Sequence, residues 1–264
     1  MKNIEFSCSY GKDTLRKLQD RLLEMYEGMA AIFDANNIEH FIMYGTLLGA
    51  CRHKGFIPWD DDFDICVMAK DYERGLRLLR ENLSDRFFVM DKTYDINYPR
   101  HWAKVMDKYS KATDYCEANN EVMHWGISID LFKCSIEKIG RFDRQERHNK
   151  HQKKNHFYKL KERRVKGLRK IRSLLILFVC YVRIWLYGLL SIFFKRNKTV
   201  CVIEPRDLLY PPEWFYPLKK TEFDGKPYFI PNQPELILTK LFGDWQTIPK
   251  EEDRVVHFAD VKLF

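Results

Sequence analysis

The chain predicts a mixed α/β fold, and three observations carry that reading. Segments with helical spacing of apolar residues interleave with short apolar runs of strand character. Glycine, proline and asparagine punctuate the boundaries between them. The composition, 45% hydrophobic and 31% charged over 264 residues, is that of an ordinary globular protein.

The elements follow in order. In residues 13–36, Leu15, Leu18, Leu22, Met25, Met29 and Ile32 recur three and four apart with charges between them, which predicts a helix stopped by Asn36-Asn37. Residues 40–44 read as a strand and 47–53 as a short helix, with Gly45-Thr46 between them. Gly55 and Pro58 break the chain before a second strand at 61–68. A helix is expected over 71–81, weaker strands over 87–90 and 101–106, and a third strong strand over 126–132. Near the end, 235–242 reads as a helix, with Pro234 at its start and Gly243 past its end.

Composition changes along the chain. Residues 141–172 hold 14 Lys or Arg against 3 acids, a block that marks an interaction surface. An apolar run over 173–194 follows, interrupted by Arg183 and closed by Lys195, Arg196 and Lys198. These shifts divide the chain into a core over 1–140, a basic and apolar helical insertion over 141–200, and a C-terminal part over 201–264 that returns to the core.

The net charge of +8 points to an anionic partner: phosphate, nucleic acid or an acidic membrane. Aromatic residues, at 15%, suit a sugar- or base-binding surface and a well-filled core alike. The seven cysteines are scattered and never spaced as C-x-x-C. That pattern suggests neither a zinc ribbon nor a disulfide framework, and it fits free thiols in the cytoplasm. Residues 1–10 contain no apolar run, so no signal peptide is expected.

The chemistry concentrates in Tyr44-Gly45-Thr46-Leu47-Leu48-Gly49-Ala50-Cys51-Arg52-His53 and in Pro58-Trp59-Asp60-Asp61-Asp62-Phe63-Asp64-Ile65. Alternate residues of a strand share a face, with Cα atoms about 6.5–7 Å apart. Asp62 and Asp64 would then point one way while Phe63, Ile65 and Val67 enter the core. Asp60 has the same parity. Like charges this close repel unless a cation lies between them, and Mg²⁺, with Mn²⁺ as a substitute, suits an all-oxygen ligand set. A solvated acidic turn is the bland alternative, less expected for Asp64 within an apolar run. Gly45-Thr46, between strand and helix, would let backbone N–H groups approach a phosphate, although a structural turn alone would look the same. Arg52 and His53 could neutralise a diphosphate or sit on the surface. Asp130 lies opposite Ile129 and Leu131 in its strand and needs a partner, either the same metal or a buried salt bridge. Lys104 is a candidate phosphate contact or a surface lysine.

At these residues the sequence resembles the LicD family of phosphocholine transferases, which includes the fukutin-type proteins. The likeness runs from Tyr44 to His53, through Ile57-Pro58-Trp59-Asp60-Asp61-Asp62-Phe63-Asp64, to the stretch 126–130. A looser C-terminal signature, Phe242-Gly243-Asp244-Trp245 with Pro249, extends to His257 as a substrate-binding residue. The resemblance implies a nucleotidyltransferase-like core. It implies transfer of a phospho-alcohol, most often phosphocholine, from a CDP-linked donor to a hydroxyl of a glycan or lipid-linked sugar. It assigns catalysis to Asp62, Asp64 and Asp130. It does not extend to the segment 141–200.

Two other functions fit parts of the sequence. A true nucleotidyltransferase would use the same acids and release pyrophosphate. A non-enzymatic basic protein that binds nucleic acid or another polymer would use 141–172, but would leave the acidic strand unexplained, so nucleic acid is not the expected partner. About 22 apolar residues over 173–194 could cross a bilayer. Arg183 near the middle penalises that, and a span would separate the acids from the C-terminal signature. The expectation is instead a helix lying on the anionic inner face of the cell membrane, the protein being cytoplasmic and peripheral.

Overall fold

A computed structural model describes residues 11–116, 121–140, 168–193, 198–204 and 208–264, with isolated helical positions between 146 and 160. The start of the chain and most of the basic block lie outside the described residues. In chain order the elements are α1 (Lys12–Ala35), β1 (His40–Ile42), α2 (Tyr44–His53), β2 (Phe63–Met68), α3 (Ala69–Asn82), β3 (Phe87–Met90), β4 (Ala103–Asp107), β5 (Ser110–Cys116), β6 (Glu121–Trp125) and β7 (Ser128–Ile139). They continue with α4 (Leu168–Phe193), β8 (Lys198–Ile203), β9 (Leu208–Tyr210), β10 (Lys219–Phe223), β11 (Lys226–Ile230), α5 (Pro234–Phe242) and β12 (Phe258–Leu263).

Two compact units emerge, one from Met1–Ser135 with Val202–Phe264 and the other from Ile136–Cys201. The main sheet runs β1-β2-β7-β4-β3, with β8 also paired to β7 and to β9. β2 and β7 are parallel, and the other pairs along the main path are antiparallel. The mixed sheet flanked by helices is the α/β architecture expected from the sequence. A hairpin of β10 and β11 and a three-stranded sheet β12-β5-β6 complete the described strands.

Many of the aromatic residues build the core. β2 lies between β1 and β7 and is buried on both faces. Phe63 lies 5.0 Å from Tyr26 of α1, between ring centroids, and 5.6 Å from Phe223. Tyr228 stacks on Tyr26 at 4.8 Å. Phe223 and Tyr228 are delivered by the hairpin, whose two-residue turn, Asp224-Gly225, has both φ angles positive (47° and 78°). That is the geometry an Asp-Gly pair favours between strands.

Several boundaries differ from expectation in ways that matter for the site. α2 begins at Tyr44, three residues earlier than the sequence suggested, so Gly45 and Thr46 belong to its first turn. β2 begins at Phe63, so Asp60, Asp61 and Asp62 lie in the loop leading into the strand, and only Asp64 of the acidic run is in it. β7 extends to Ile139, and α4 starts at Leu168 and takes in part of the basic block.

α2 sits directly on the loop that leads to the acids. A Cβ added at Gly49 would lie 2.5 Å from the Gly55 carbonyl oxygen and 3.2 Å from the Ile57 nitrogen. Both are backbone atoms that cannot rotate away. Gly49→Ala should therefore destabilise the protein by about 1–3 kcal/mol, as overpacking commonly does. Denaturant unfolding measures it, and an unchanged midpoint would show that the loop yields freely.

Candidate active site

The site forms where the start of α2 meets the start of β2. Tyr44, the first residue of α2, has φ +51°, a left-handed conformation that costs a non-glycine residue about 1–2 kcal/mol. The bend turns the chain from β1 directly into the helix, so Gly45 faces the acids. A Cβ at Gly45 would stand 3.1 Å from Asp60 Oδ2, 3.8 Å from Asp62 Oδ1 and 4.0 Å from Asp64 Oδ2. The absence of a side chain at Gly45 leaves room where three carboxylates converge, and the positive end of the helix dipole favours negative charge there.

The backbone is held on both sides of this point. The Asp64 N–H donates to the buried Thr46 hydroxyl at 2.8 Å, and the Met43 N–H donates to the Asp64 carbonyl at 3.0 Å. Thr46 thus accepts a bond that fixes Asp64, and only its own hydroxyl proton is left to offer a phosphate. Gln19 of α1 donates to the Asp60 carbonyl at 2.9 Å.

The acids crowd one another. Burial, then the charge of Asp62, raises the Asp60 carboxyl well above the usual carboxylate range. Burial raises Asp64 in the same way, with Asp62 and Asp130 adding to it. Asp62 is raised by burial too, while His257 opposes the shift. Burial is the larger cause in each case, and the neighbouring carboxylates add to it.

His257 and Asp61 connect this cluster to the far end of the chain. Asp61 is fully buried and accepts the backbone N–H of His257 at 2.8 Å and that of Phe258 at 2.8 Å. The His257 Nδ1 lies 3.3 Å from Asp61 and 3.1 Å from Asp62. The Asp62 carboxylate raises this imidazole well above its ordinary value against a desolvation cost, with Asp61 and Asp60 adding to the effect. Asp61 did not stand out in the sequence. Its neighbours share its residue type, and its role depends on a segment 196 residues away.

Asp130 is the cross-strand neighbour of Asp64, and Lys104 is the neighbour of Asp130 on its other side. The partner Asp130 needs is present: Lys104 Nζ lies 2.6 Å from Asp130 Oδ1, and Trp102 Nε1–H donates to Oδ2 at 2.8 Å. Lys104 is buried and also bonds the Ser128 hydroxyl at 3.2 Å. It is thus tied to the sheet rather than free on the surface.

Arg52 and His53 sit in the last turn of α2, about 10 Å along the helix axis from Gly45. Arg52 donates to the carbonyls of Trp245 at 2.7 Å and Thr247 at 3.3 Å, and to His53 at 2.9 Å. The structure therefore places both at the opposite end of α2 from the acids, where Arg52 clasps the C-terminal loop that follows α5. Burial lowers both of them, and the Arg52 charge adds to the shift of His53. Arg254, which the sequence did not single out, stacks over Trp59 at 4.3 Å, just before the acidic run.

The donor set fits a divalent cation. One ligand atom each from Asp60, Asp62 and His257 lie within 4.8 Å of one another. Asp62 Oδ1 is buried without a hydrogen-bond partner, and Gly45 keeps the space open. Asp64 and Asp130, also expected as ligands, are not in that group of three, and the Asp130 carboxylate is engaged by Lys104 and Trp102.

Known proteins are similar to this sequence. The chain is 26% identical over 271 residues to the lipopolysaccharide cholinephosphotransferase LicD of Haemophilus influenzae, covering 93% of this chain and 96% of that protein. It is 46% identical over 144 residues to an uncharacterised protein of Rickettsia prowazekii, covering 47% of this chain and 53% of that one. A family model described as LicD/FKTN/FKRP, nucleotidyltransferase domain, matches residues 37–174, which contain Gly45, the acidic run and Asp130. The chain belongs to the LicD/FKTN/FKRP family.

Proposed function

We propose that the protein is a metal-dependent phosphotransferase that moves a phospho-alcohol, phosphocholine foremost, from a CDP-linked donor to a hydroxyl of a cell-surface glycan or lipid-linked sugar. The observation that carries this reading is the convergence of Asp60, Asp62 and Asp64 on the side-chain-free Gly45 at the start of α2. The cholinephosphotransferase activity named for the Haemophilus relative supports the choice of donor group.

Phosphoryl transfer depends on positioning and charge neutralisation more than on a special nucleophile. Asp60 and Asp62, with His257 as the neutral imidazole once a cation had displaced its proton, would hold Mg²⁺ or Mn²⁺, and Asp64 and Asp130 would flank it. A bound divalent cation would offset the charge of the donor diphosphate and of the departing CMP. Gly45 leaves room for phosphate oxygens at the helix N-terminus, the positive end of the helix dipole. Asp130, oriented by Trp102 and Lys104, is assigned to take the proton of the acceptor hydroxyl. Asp61 positions His257.

The test is a donor screen with the purified protein and a glycan acceptor extract. CDP-choline, CDP-ribitol, CDP-glycerol and CDP-ethanolamine are each supplied with Mg²⁺, and CMP release is measured. CDP-choline should give the highest rate. EDTA should abolish release, and Mg²⁺ or Mn²⁺ should restore it. Full activity after exhaustive chelation rejects the metal. Pyrophosphate as product, from a nucleoside triphosphate, rejects phospho-alcohol transfer in favour of nucleotidyl transfer.

A further inference from the structure

The helix α4 is unlike every other helix described. The most apolar 18-residue stretch within Leu168–Leu190 has a mean hydropathy of 2.0, yet only 11% of that stretch is buried. Ile171, Leu174, Phe178, Val182, Trp185 and Leu189 are all exposed, Phe178 and Trp185 at 67% each. Their spacing is three, four, four, three and four residues. At about 100° per residue they fall within an arc of about 80°, a stripe that runs about 27 Å along the helix. Ser173 and Cys180 are buried and lie on the opposite side. There the Ser173 hydroxyl is 3.2 Å from His156 Nδ1 of the same unit.

The charges are arranged around this stripe. On the same wheel Arg169, Arg172 and Arg183 lie at least about 120° from its centre, and all three are exposed. The sequence that precedes the helix is strongly basic, and Lys195, Arg196 and Lys198 follow it. A bilayer-spanning helix would carry Arg183 into the hydrocarbon centre, where a charge is heavily penalised. A helix lying flat would bury the stripe in acyl chains and leave Arg169, Arg172 and Arg183 at headgroup level.

We propose that α4 binds an anionic lipid surface in the plane of its interface, through the stripe from Ile171 to Leu189. Basic residues flanking an apolar face complement anionic headgroups, and a contiguous row of six exposed large apolar side chains on one helix face marks an interaction surface. The proposal does not depend on the phosphotransferase reading.

The experiment is flotation of the full chain with vesicles of phosphatidylcholine alone or mixed with phosphatidylglycerol. The chain should float with the anionic vesicles and only weakly with the neutral ones. The double variant Phe178→Glu, Trp185→Glu should float at least about tenfold less. Because both side chains are exposed, its circular dichroism and melting temperature should stay unchanged. Replacing Arg169, Lys170 and Arg172 with Gln should remove most of the preference for anionic lipid. Failure of the unmodified chain to float overturns the proposal. So does a dimer in solution that the double variant dissolves while no lipid binds, since the stripe would then cover a second copy. Retention after alkaline carbonate, with residues 205–264 on the opposite side of the bilayer from residues 37–135 by protease access, overturns it in favour of a span.

Discussion

Replacing Asp62 with Asn should reduce turnover by on the order of 10³-fold or more, about 4 kcal/mol of barrier, while the protein stays folded. Asp62 carries a buried oxygen with no hydrogen-bond partner, and its other oxygen faces His257. An amide of the same shape keeps the packing but cannot supply the charge that a cation requires. It also relieves repulsion that raises Asp60 and Asp64, so the melting temperature without metal should hold or rise, as is common when a functional site is dismantled. The unmodified protein should melt higher when Mg²⁺ or Mn²⁺ is added, because a ligand that binds only the folded state stabilises it. The Asn variant should lose that response. Near-normal turnover in the variant, or a metal-induced melting shift equal to that of the parent, would remove Asp62 from the cation site. Asp64→Asn should also lose most activity. Asp64 adjoins Asp130 across the β2–β7 ladder and faces the same opening at Gly45.

Asp61→Ala should damage stability and activity together. Asp61 is completely buried and receives two backbone N–H groups and the His257 ring. Its loss strands the N–H of buried Phe258 and frees the segment that carries His257. Hydrogen bonds to a buried charge are worth about 1.5–3 kcal/mol each, and they do not simply add. A loss of about 3 kcal/mol or more is expected in urea unfolding, with turnover falling by at least about tenfold. His257→Ala separates the two roles. It keeps the Asp61 bonds to the backbone, so it should melt close to the parent yet lose activity. If Asp61→Ala unfolds at the parent's urea midpoint and turns over normally, Asp61 is not the anchor of His257.

Much of this site can be read from local sequence. The periodicity of α1 marks the face that buries Leu18, Leu22, Met25 and Met29. The alternation through Phe63, Ile65 and Val67 marks a strand with its core side, and all three are buried. Pro234 and Gly243 bracket α5 because one fits the first helical turn and the other adopts positive φ past the last. Other elements carry a weaker local signal. Asp224-Gly225 suits a hairpin turn, but the strands beside it, Lys219–Phe223 and Lys226–Ile230, lack a clear apolar–polar alternation. β5 and β12 have little alternation of their own. β12 is held as a strand by its antiparallel pairing to β5, about 150 residues earlier in the chain.

Local stretches of chain carry the residue types of the acids, the glycine that faces them and the mixed α/β class. These follow from residue type and from periods of two and about 3.6 residues, which are properties of a local stretch of chain. Which groups meet is set by the packing of distant segments. Lys104 reaches Asp130 because β4 pairs with β7 in a register that sets 104 opposite 130. His257 reaches Asp62 because Asp61 captures the backbone just before β12. Arg52 turns to the loop after α5, because a helix separates it from Gly45. Each of these depends on strand register, burial or the length of a helix. Such quantities arise only when distant segments satisfy one another's hydrogen bonds and charges, so no window of sequence contains them.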